Sequence, residues 1–339
     1  MKNLLKRLTQ HTAQASVNGS SLVTEEAVRW AYRLFLDREP ENAAAVAEKL
    51  RYTDFAAMRH DFFTSPECAA KLPLAARNAS LRGDEPPRTI ECDGPPEQLA
   101  RLFAHVNASW QQLGETDPYY SVLTNPKYLG LPSGEIIDTF FRSGHDEVRR
   151  FLLTLERNGL AIDQGATCLE YGCGLGRVTQ ALAPHFSRTL AVDISSAHLA
   201  LAERHAREAE AGNIEWRHLE SVAALDDLPA VDVVYSIIVL QHNPPPVIDR
   251  IIAAFARILK PGGLAYFQVP TYRSDYEFRL AEYLRDQVGR NGMEMHAFPQ
   301  ARVFQRFAEN NATPVSVVED GYTGWRPGER SNTFIFKRA

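Results

Sequence analysis

Apolar residues recur at helical spacing over the first part of the chain and in short strand-like runs over the last part. In "TEEAVRWAYRLFLDREP" Ala27, Trp30, Ala31, Leu34 and Phe35 share one helical face. Thr24 is a candidate N-cap, Glu25 and Glu26 suit the first turn, and Pro40 ends the pattern. Two more helices are predicted over Ala43–Leu50 and Asp54–Phe63, the second closing at "TSPE". "LRGDEPPRTIECDGPP" is dense in proline, glycine and charge and reads as a linker. Beyond it Leu99, Leu102, Phe103, Val106 and Trp110 line one side of a helix. "TDPYYSVLTNPKY" is irregular and aromatic. "SGEIIDTFFRSGHDEVRRFLLTLERNGL" is helical, with Gly144 as the expected point of division.

From Ala166 the period changes. "TCLEY", "TLAVDI", "IEWRHL", "VDVVYSII", "GLAYFQV", "VSVVED" and "NTFIFK" read as strands. Helices are predicted between them at Gly176–Pro184, Ala197–Ala211, Val247–Leu259 and Ala301–Asn310. Such alternation predicts an α/β fold, a mainly parallel sheet with helices on both faces. The last two strands can pair as a hairpin across "DGYTGWRPGERSN". The expected organisation is a small helical module over 1–80, a linker over 81–96, a helical and aromatic cap over 97–160 and the α/β domain over 161–339.

Composition narrows this little. The 339 residues are 45% hydrophobic and 23% charged, an ordinary globular balance that permits a sizeable core. A net charge of −5 with scattered basic residues gives no basic patch, so no nucleic-acid partner is expected. Cys68, Cys92, Cys168 and Cys173 lack the paired spacing of a zinc site, and no metal is expected. No run approaches the roughly 20 apolar residues of a membrane span, and the basic start lacks a signal-peptide core. A cytoplasmic location follows as the expectation, with the inner face of the membrane left open. Met1–Gln10 reads as a frayed terminus, with an amphipathic turn lying on a membrane as the alternative.

The candidate chemistry begins at "LEYGCGLGRVTQ". Glycines at the end of a first parallel strand let the chain turn sharply and let a ligand touch bare backbone. Gly172, Gly174 and Gly176 give G-x-G-x-G rather than the dinucleotide G-x-G-x-x-G, and no "GK[ST]" follows. A pyrophosphate or a carboxylate would suit such a loop. Asp193 ends the second strand, where a carboxylate can accept both hydroxyls of a ribose; its other reading is a helix N-cap.

Taken in order, "LEYGCGLGRVT", "AVDIS", "VDVVYSIIVLQH" and "LKPGGLAYFQVP" resemble the successive motifs of class I S-adenosylmethionine-dependent methyltransferases, over about Ala166–Ala339. The resemblance implies a seven-stranded Rossmann-like sheet with the last strand inserted antiparallel, and S-adenosyl-L-methionine as cofactor. It assigns Glu170, Gly172, Gly174 and Gly176 to the methionine part and Asp193 to the ribose. Glu220 and Ser221 match the adenine turn, where the family usually has Asp or Asn. Ser236 and the segment through Gln241 match the surroundings of the methyl group. In some members an Asn-Pro-Pro-aromatic motif marks amine methylation. Here Asn243 comes several residues after the strand and Pro246 replaces the aromatic, so "QHNPPP" reads as a loop opening a helix.

Methylation of a hydroxyl needs a base, and His242 and His296 are the candidates, with structural roles as the alternative for both. Trp110, Tyr119 and Tyr120 are candidate acceptor contacts, as are Tyr322, Trp325 and Arg326 in "DGYTGWRP"; helix packing and a polar hairpin are the plainer readings. Two weaker resemblances point to glycans. Tyr32, "LDREP" and "FFTSPE" are similar to a module recurrent in bacterial surface-glycan and surface-layer proteins, with Asp37 in place of a glycine. The aromatic segment, "FFRSG" and "MHAFP" resemble methyltransferases encoded with glycan-assembly functions. The expected function is O-methylation of a sugar hydroxyl of a bacterial glycan or its precursor, with peripheral association with membrane-bound glycan-assembly machinery. The alternatives are methylation of a small molecule, such as a natural product or an amine, and a non-catalytic cofactor-binding scaffold.

Overall fold

A computed structural model describes residues 23–52, 54–65, 67–68, 85–130, 132–289, 292–324 and 328–339. The readings made for Met1–Gln10, Trp325 and Arg326 lie outside the described residues, as do Pro66 of "TSPE" and the start of the expected linker. The chain divides into two compact units, Met1–Ala79 and Ser80–Ala339.

In the first unit lie α1 (Glu25–Leu36), α2 (Ala43–Lys49) and α3 (Phe55–Thr64). The side chains of Thr24, Asn42 and Asp54 cap them, accepting from the amides of Ala27, Ala45 and Ala57. The buried face of α1 is Val28, Ala31, Tyr32 and Leu36, rotated from the one expected: Trp30 is 50% and Leu34 74% exposed. Packing decides this, because Tyr32 sets its ring edge-on to Phe62 at 4.9 Å, whereas Trp30 carries the Arg33 guanidinium over its face at 5.1 Å. Asp37, the residue in place of a glycine, has φ 46° and closes α1 in the left-handed region that glycine adopts freely.

The second unit holds a seven-stranded sheet of order β3-β2-β1-β4-β5-β7-β6. The strands are β1 (Thr167–Tyr171), β2 (Arg188–Asp193), β3 (Ile214–His218), β4 (Val231–Ser236), β5 (Leu259–Arg273), β6 (Ala312–Asp320) and β7 (Glu329–Arg338). The first five are parallel, and β7 runs antiparallel between β5 and β6. This is the Rossmann-like methyltransferase sheet that the motifs imply. Side chains alternate between two cores. Cys168, Val233, Tyr235, Leu264 and Tyr266 pack with Val148, Phe151 and Leu155 on one face. Leu169, Val234, Ala265 and Phe267 pack with Ile251, Phe255 and Phe307 on the other.

Among the described residues of this unit, three α-helices precede β1: α4 (Pro96–Thr116), α5 (Pro118–Val122) and α6 (Gly134–Arg157). Gly144 does not divide α6. A Cβ there would overlap the Arg177 carbonyl oxygen, so the glycine serves a close helix-to-loop contact. The helix expected at Gly176–Pro184 shrinks to α7 (Thr179–Leu182) and a 3-10 turn at Ala183–His185. Gly176, at φ 74°, is outside helical geometry and delays the start. From 85 onward the expected linker is tied down: Glu91 N–H donates to the Phe278 carbonyl at 3.0 Å, and Phe278 N–H to that of Thr89 at 2.9 Å. The remaining helices are α8 (Ser196–Glu208), α9 (Pro245–Ile258), α10 (Leu280–Asp286) and α11 (Gln300–Ala308). No helix among the described residues is long and apolar enough to cross a membrane.

Candidate active site

The strand order reverses between β1 and β4, and at such a switch the loops leaving the C-terminal strand ends part to form a crevice. The cavity lies there. Glu170, Gly172, Gly174 and Asp193 line one end, and Trp110, Ile237, Ile238, Val239 and His242 the other.

At the first end the glycine loop is a built cradle. Gly172 and Gly174 have φ 77° and 53°, accessible to glycine at no cost. A Cβ on Gly174 would lie 2.9 Å from Val122, and one on Gly172 would strike the Val239 side chain. The Asp193 carboxylate holds the loop: Gly174 N–H donates to Oδ2 at 2.7 Å and Ser195 N–H to Oδ1 at 2.8 Å. Each oxygen keeps capacity for a further donor. Glu170 is buried and accepts the Thr179 hydroxyl at 2.5 Å. Burial pushes its carboxyl up to about 8, against the pull of Thr179 and of the Arg177 charge. A cationic group placed beside it would favour its ionised form.

At the other end stands His242. Its Nδ1 lies 2.8 Å from the Glu294 carbonyl and its Nε2 3.3 Å from the Gln241 amide nitrogen. Trp110 meets the ring edge-on, centroids 5.1 Å apart. Burial pushes the imidazole down to about 4, so the ring is neutral near pH 7. Ile237, Ile238, Val239 and the polar Asn243 also line the cavity here.

The other residues singled out from the sequence lie as follows. Gly176 turns toward Trp216, where a Cβ would come to 2.8 Å. Ser236 is buried and donates to the Tyr171 carbonyl at 2.9 Å, tying β4 to β1. Gln241 is buried beneath the His242 turn. Glu220 is exposed, 3.8 Å from His218, and Ser221 caps the 3-10 turn Val222–Asp227. Neither is among the residues lining the cavity. His296 is buried, with Nε2 3.0 Å from the Glu294 carboxylate and Nδ1 2.8 Å from the Tyr276 hydroxyl, and does not line the cavity. Tyr119 binds His205 at 2.8 Å, and Tyr120 packs in the same aromatic cluster. Tyr322 donates to Glu147 at 2.7 Å and lines a separate cavity beside α6 with Arg150 and Tyr266.

Several lining residues escaped the sequence reading. Arg177 follows the third glycine directly and was the most legible of them. Ser121 and Val122 come from α5, which is pinned over the loop by the contact of Ser121 with His198 at 2.8 Å. Ile238 sits at φ 62°, outside normal space for a β-branched residue. It lies within the Ser236 to Gln241 segment that the motifs single out, but no local sequence signal marks its backbone angle.

Residues 168–263 match the family model described as a methyltransferase domain. That segment is a class I S-adenosylmethionine-dependent methyltransferase domain, and it contains Glu170, the glycine cradle and Asp193. The ubiquinone biosynthesis O-methyltransferase of Methylococcus capsulatus is 31% identical over 160 residues, 46% of this chain and 66% of that protein. That of Pseudomonas fluorescens strain Pf-5 is 35% identical over 147 residues, 42% of this chain and 61% of that protein. The chain thus spans less than two thirds of these relatives' length. Among solved structures, magnesium protoporphyrin IX methyltransferase from Synechocystis with bound S-adenosylhomocysteine is 17% identical, with a TM-score of 0.49 over 70% of this chain and 100% of that one. The N-methyltransferase NodS from Bradyrhizobium japonicum is 18% identical, with a TM-score of 0.45 over 69% and 98%.

Proposed function

We propose that this protein is an O-methyltransferase that transfers the methyl group of S-adenosylmethionine to a hydroxyl on a small, largely apolar or aromatic molecule. The observation that carries the reading is the pairing, in one cavity, of the glycine cradle and Asp193 with a neutral histidine set beside aliphatic side chains, an indole and Asn243. When bound, S-adenosylmethionine supplies a methyl carbon activated by a cationic sulfur. Gly172 and Gly174 admit its amino-acid end against bare backbone, Asp193 accepts from its ribose, and Glu170 balances its positive charge. His242 takes the acceptor's proton at Nε2. A hydroxyl oxygen becomes far more acidic as it gains a carbon, so a ring that burial makes a weak base is adequate.

Ile237, Ile238, Val239 and Trp110 favour a phenol-like acceptor, for whose single hydroxyl His242 and Asn243 suffice, over a sugar, whose several hydroxyls would need more polar partners. The names of the curated relatives, ubiquinone biosynthesis O-methyltransferases, support the same class. A place in glycan assembly stays within the same test. Labelled methyl transfer is measured to phenols and catechols, saccharides and amines, with phenols or catechols expected to accept. Transfer to saccharides alone would restore the glycan reading, and transfer to no hydroxyl would overturn O-methylation. Asp193→Ala is expected to weaken cofactor affinity by about 10- to 100-fold, the worth of one or two hydrogen bonds to a charged group. Unchanged affinity by calorimetry would remove Asp193 from the ribose site.

A further inference from the structure

His242 acts as a base only if its Nε2 carries a lone pair, and the two ring tautomers differ in this. The surroundings decide between them, starting from a donor whose identity is fixed. Ile238 N–H, a main-chain amide, donates to Gln268 Oε1 at 3.0 Å. That orients the Gln268 amide, because only its oxygen can accept. Its nitrogen then donates to Gln241 Oε1 at 3.1 Å and to Ser331 Oγ at 2.7 Å. The Ser331 hydroxyl oxygen can accept there wherever its own proton points. The Gln241 oxygen being engaged, its nitrogen is the group that faces His242 Nε2, at 3.3 Å. An amide nitrogen only donates, so Nε2 accepts and is unprotonated. The ring proton is therefore on Nδ1, donated to the Glu294 carbonyl at 2.8 Å.

We propose that Gln268 is a positioning residue, which through Gln241 keeps a donor facing His242 Nε2, reinforces the Nδ1–H tautomer that the Glu294 carbonyl favours, and thereby leaves a lone pair on Nε2 for the acceptor's proton. Gln268 is fully buried on β5, and its hydrogen bonds reach β7, the His242 turn and the Ile238 backbone. Ile238, at φ 62°, pays a strain that one strong acceptor on its amide helps to hold. The long Gln241 contact is the weak member of the chain, so an incoming hydroxyl can take over the lone pair without breaking the relay behind it. The catalytic meaning of the lock rests on the proposed function, but the lock itself is a property of the free protein.

The test uses the full chain labelled with 15N at histidine, with two-bond 1H–15N correlation reading the tautomer and His242→Asn identifying the resonance. In the unsubstituted protein His242 is expected to show a protonated Nδ1 and an unprotonated Nε2. Gln268→Met removes both the acceptor and the donors. It is expected to give mixed tautomers and a kcat lowered in proportion to the Nδ1–H form lost, about 2- to 10-fold, with affinity for S-adenosylhomocysteine unchanged. Gln241→Glu leaves Gln268 in place but presents acceptors to His242, and Nε2 is expected to gain a proton. Should Gln268→Met fail to fold, Gln241→Glu decides alone. An unsubstituted ring protonated at Nε2, or variants that keep the original tautomer and kcat, would overturn the relay. Methyl transfer absent from the unsubstituted protein would sink the O-methyltransferase reading instead, and the tautomer would still judge the lock.

Discussion

Glu170 is costly to bury, and the cost can be read against pH. Its carboxyl stands at about 8, against an ordinary value of 4.5. Between those values the folded chain holds a proton that the unfolded chain has released, so stability falls as pH rises through this window. His242 acts in the opposite sense: its ring, ordinarily near 6.5, stands at about 4, and stability falls as pH drops between them. Above pH 6.5 only the Glu170 effect remains of the two. Urea denaturation at pH 6.5 and 8 is therefore expected to show a loss of stability of up to about 1.4 kcal/mol per pH unit. Glu170→Gln is expected to abolish that slope, and an unchanged slope would show that the carboxyl ionises normally. At this scale the sequence disclosed the residues whose type alone limits their chemistry: the glycines, Asp193, Glu170 and His242. Gln268 was illegible because it acts through partners distant in sequence; Ile238 lay in a segment the motifs singled out, but its backbone angle was not legible.

At the level of elements, strands were more legible than helix faces. Strand positions buried on both sides read as continuous apolar runs, and "TCLEY" and "VDVVYS" form strands with the bounds expected of them, apart from the last two residues of the longer run. The face of α1 was misread because amphipathic spacing fits both the Trp30–Leu34 and the Val28–Tyr32 stripe, and only Phe62 chooses. Gly144 was misread for a related reason. Glycine in a helix weakens it by about 1 kcal/mol in isolation, so division was the natural expectation. The neighbouring Arg177 carbonyl reverses the sign. Gly144→Ala is expected to destabilise the protein by about 1–3 kcal/mol, although an isolated helix would gain. A stabilised variant in urea denaturation would mean that α6 moves away from the glycine loop without cost.

Over the whole molecule, the described cavity-lining residues and both sheet-face cores fall within Ser80–Ala339. A chain of residues 80–339 is therefore expected to fold cooperatively and to bind S-adenosylhomocysteine with unchanged affinity by calorimetry. A large loss would give the helical unit a part in the cofactor site. The sequence by itself determined the alternation of strand and helix, the glycine turn and the acidic residue after β2, because periodicity, glycine's freedom at positive φ and a fixed charge are local properties of the chain. Tertiary structure alone decided that Trp110 and His242 meet, that His296 turns to Glu294 and Tyr276, that Tyr322 lines a different cavity and that Gln268 reaches the His242 turn. Those outcomes depend on which distant segments the sheet brings within hydrogen-bonding distance, and no short stretch of the chain carries that information.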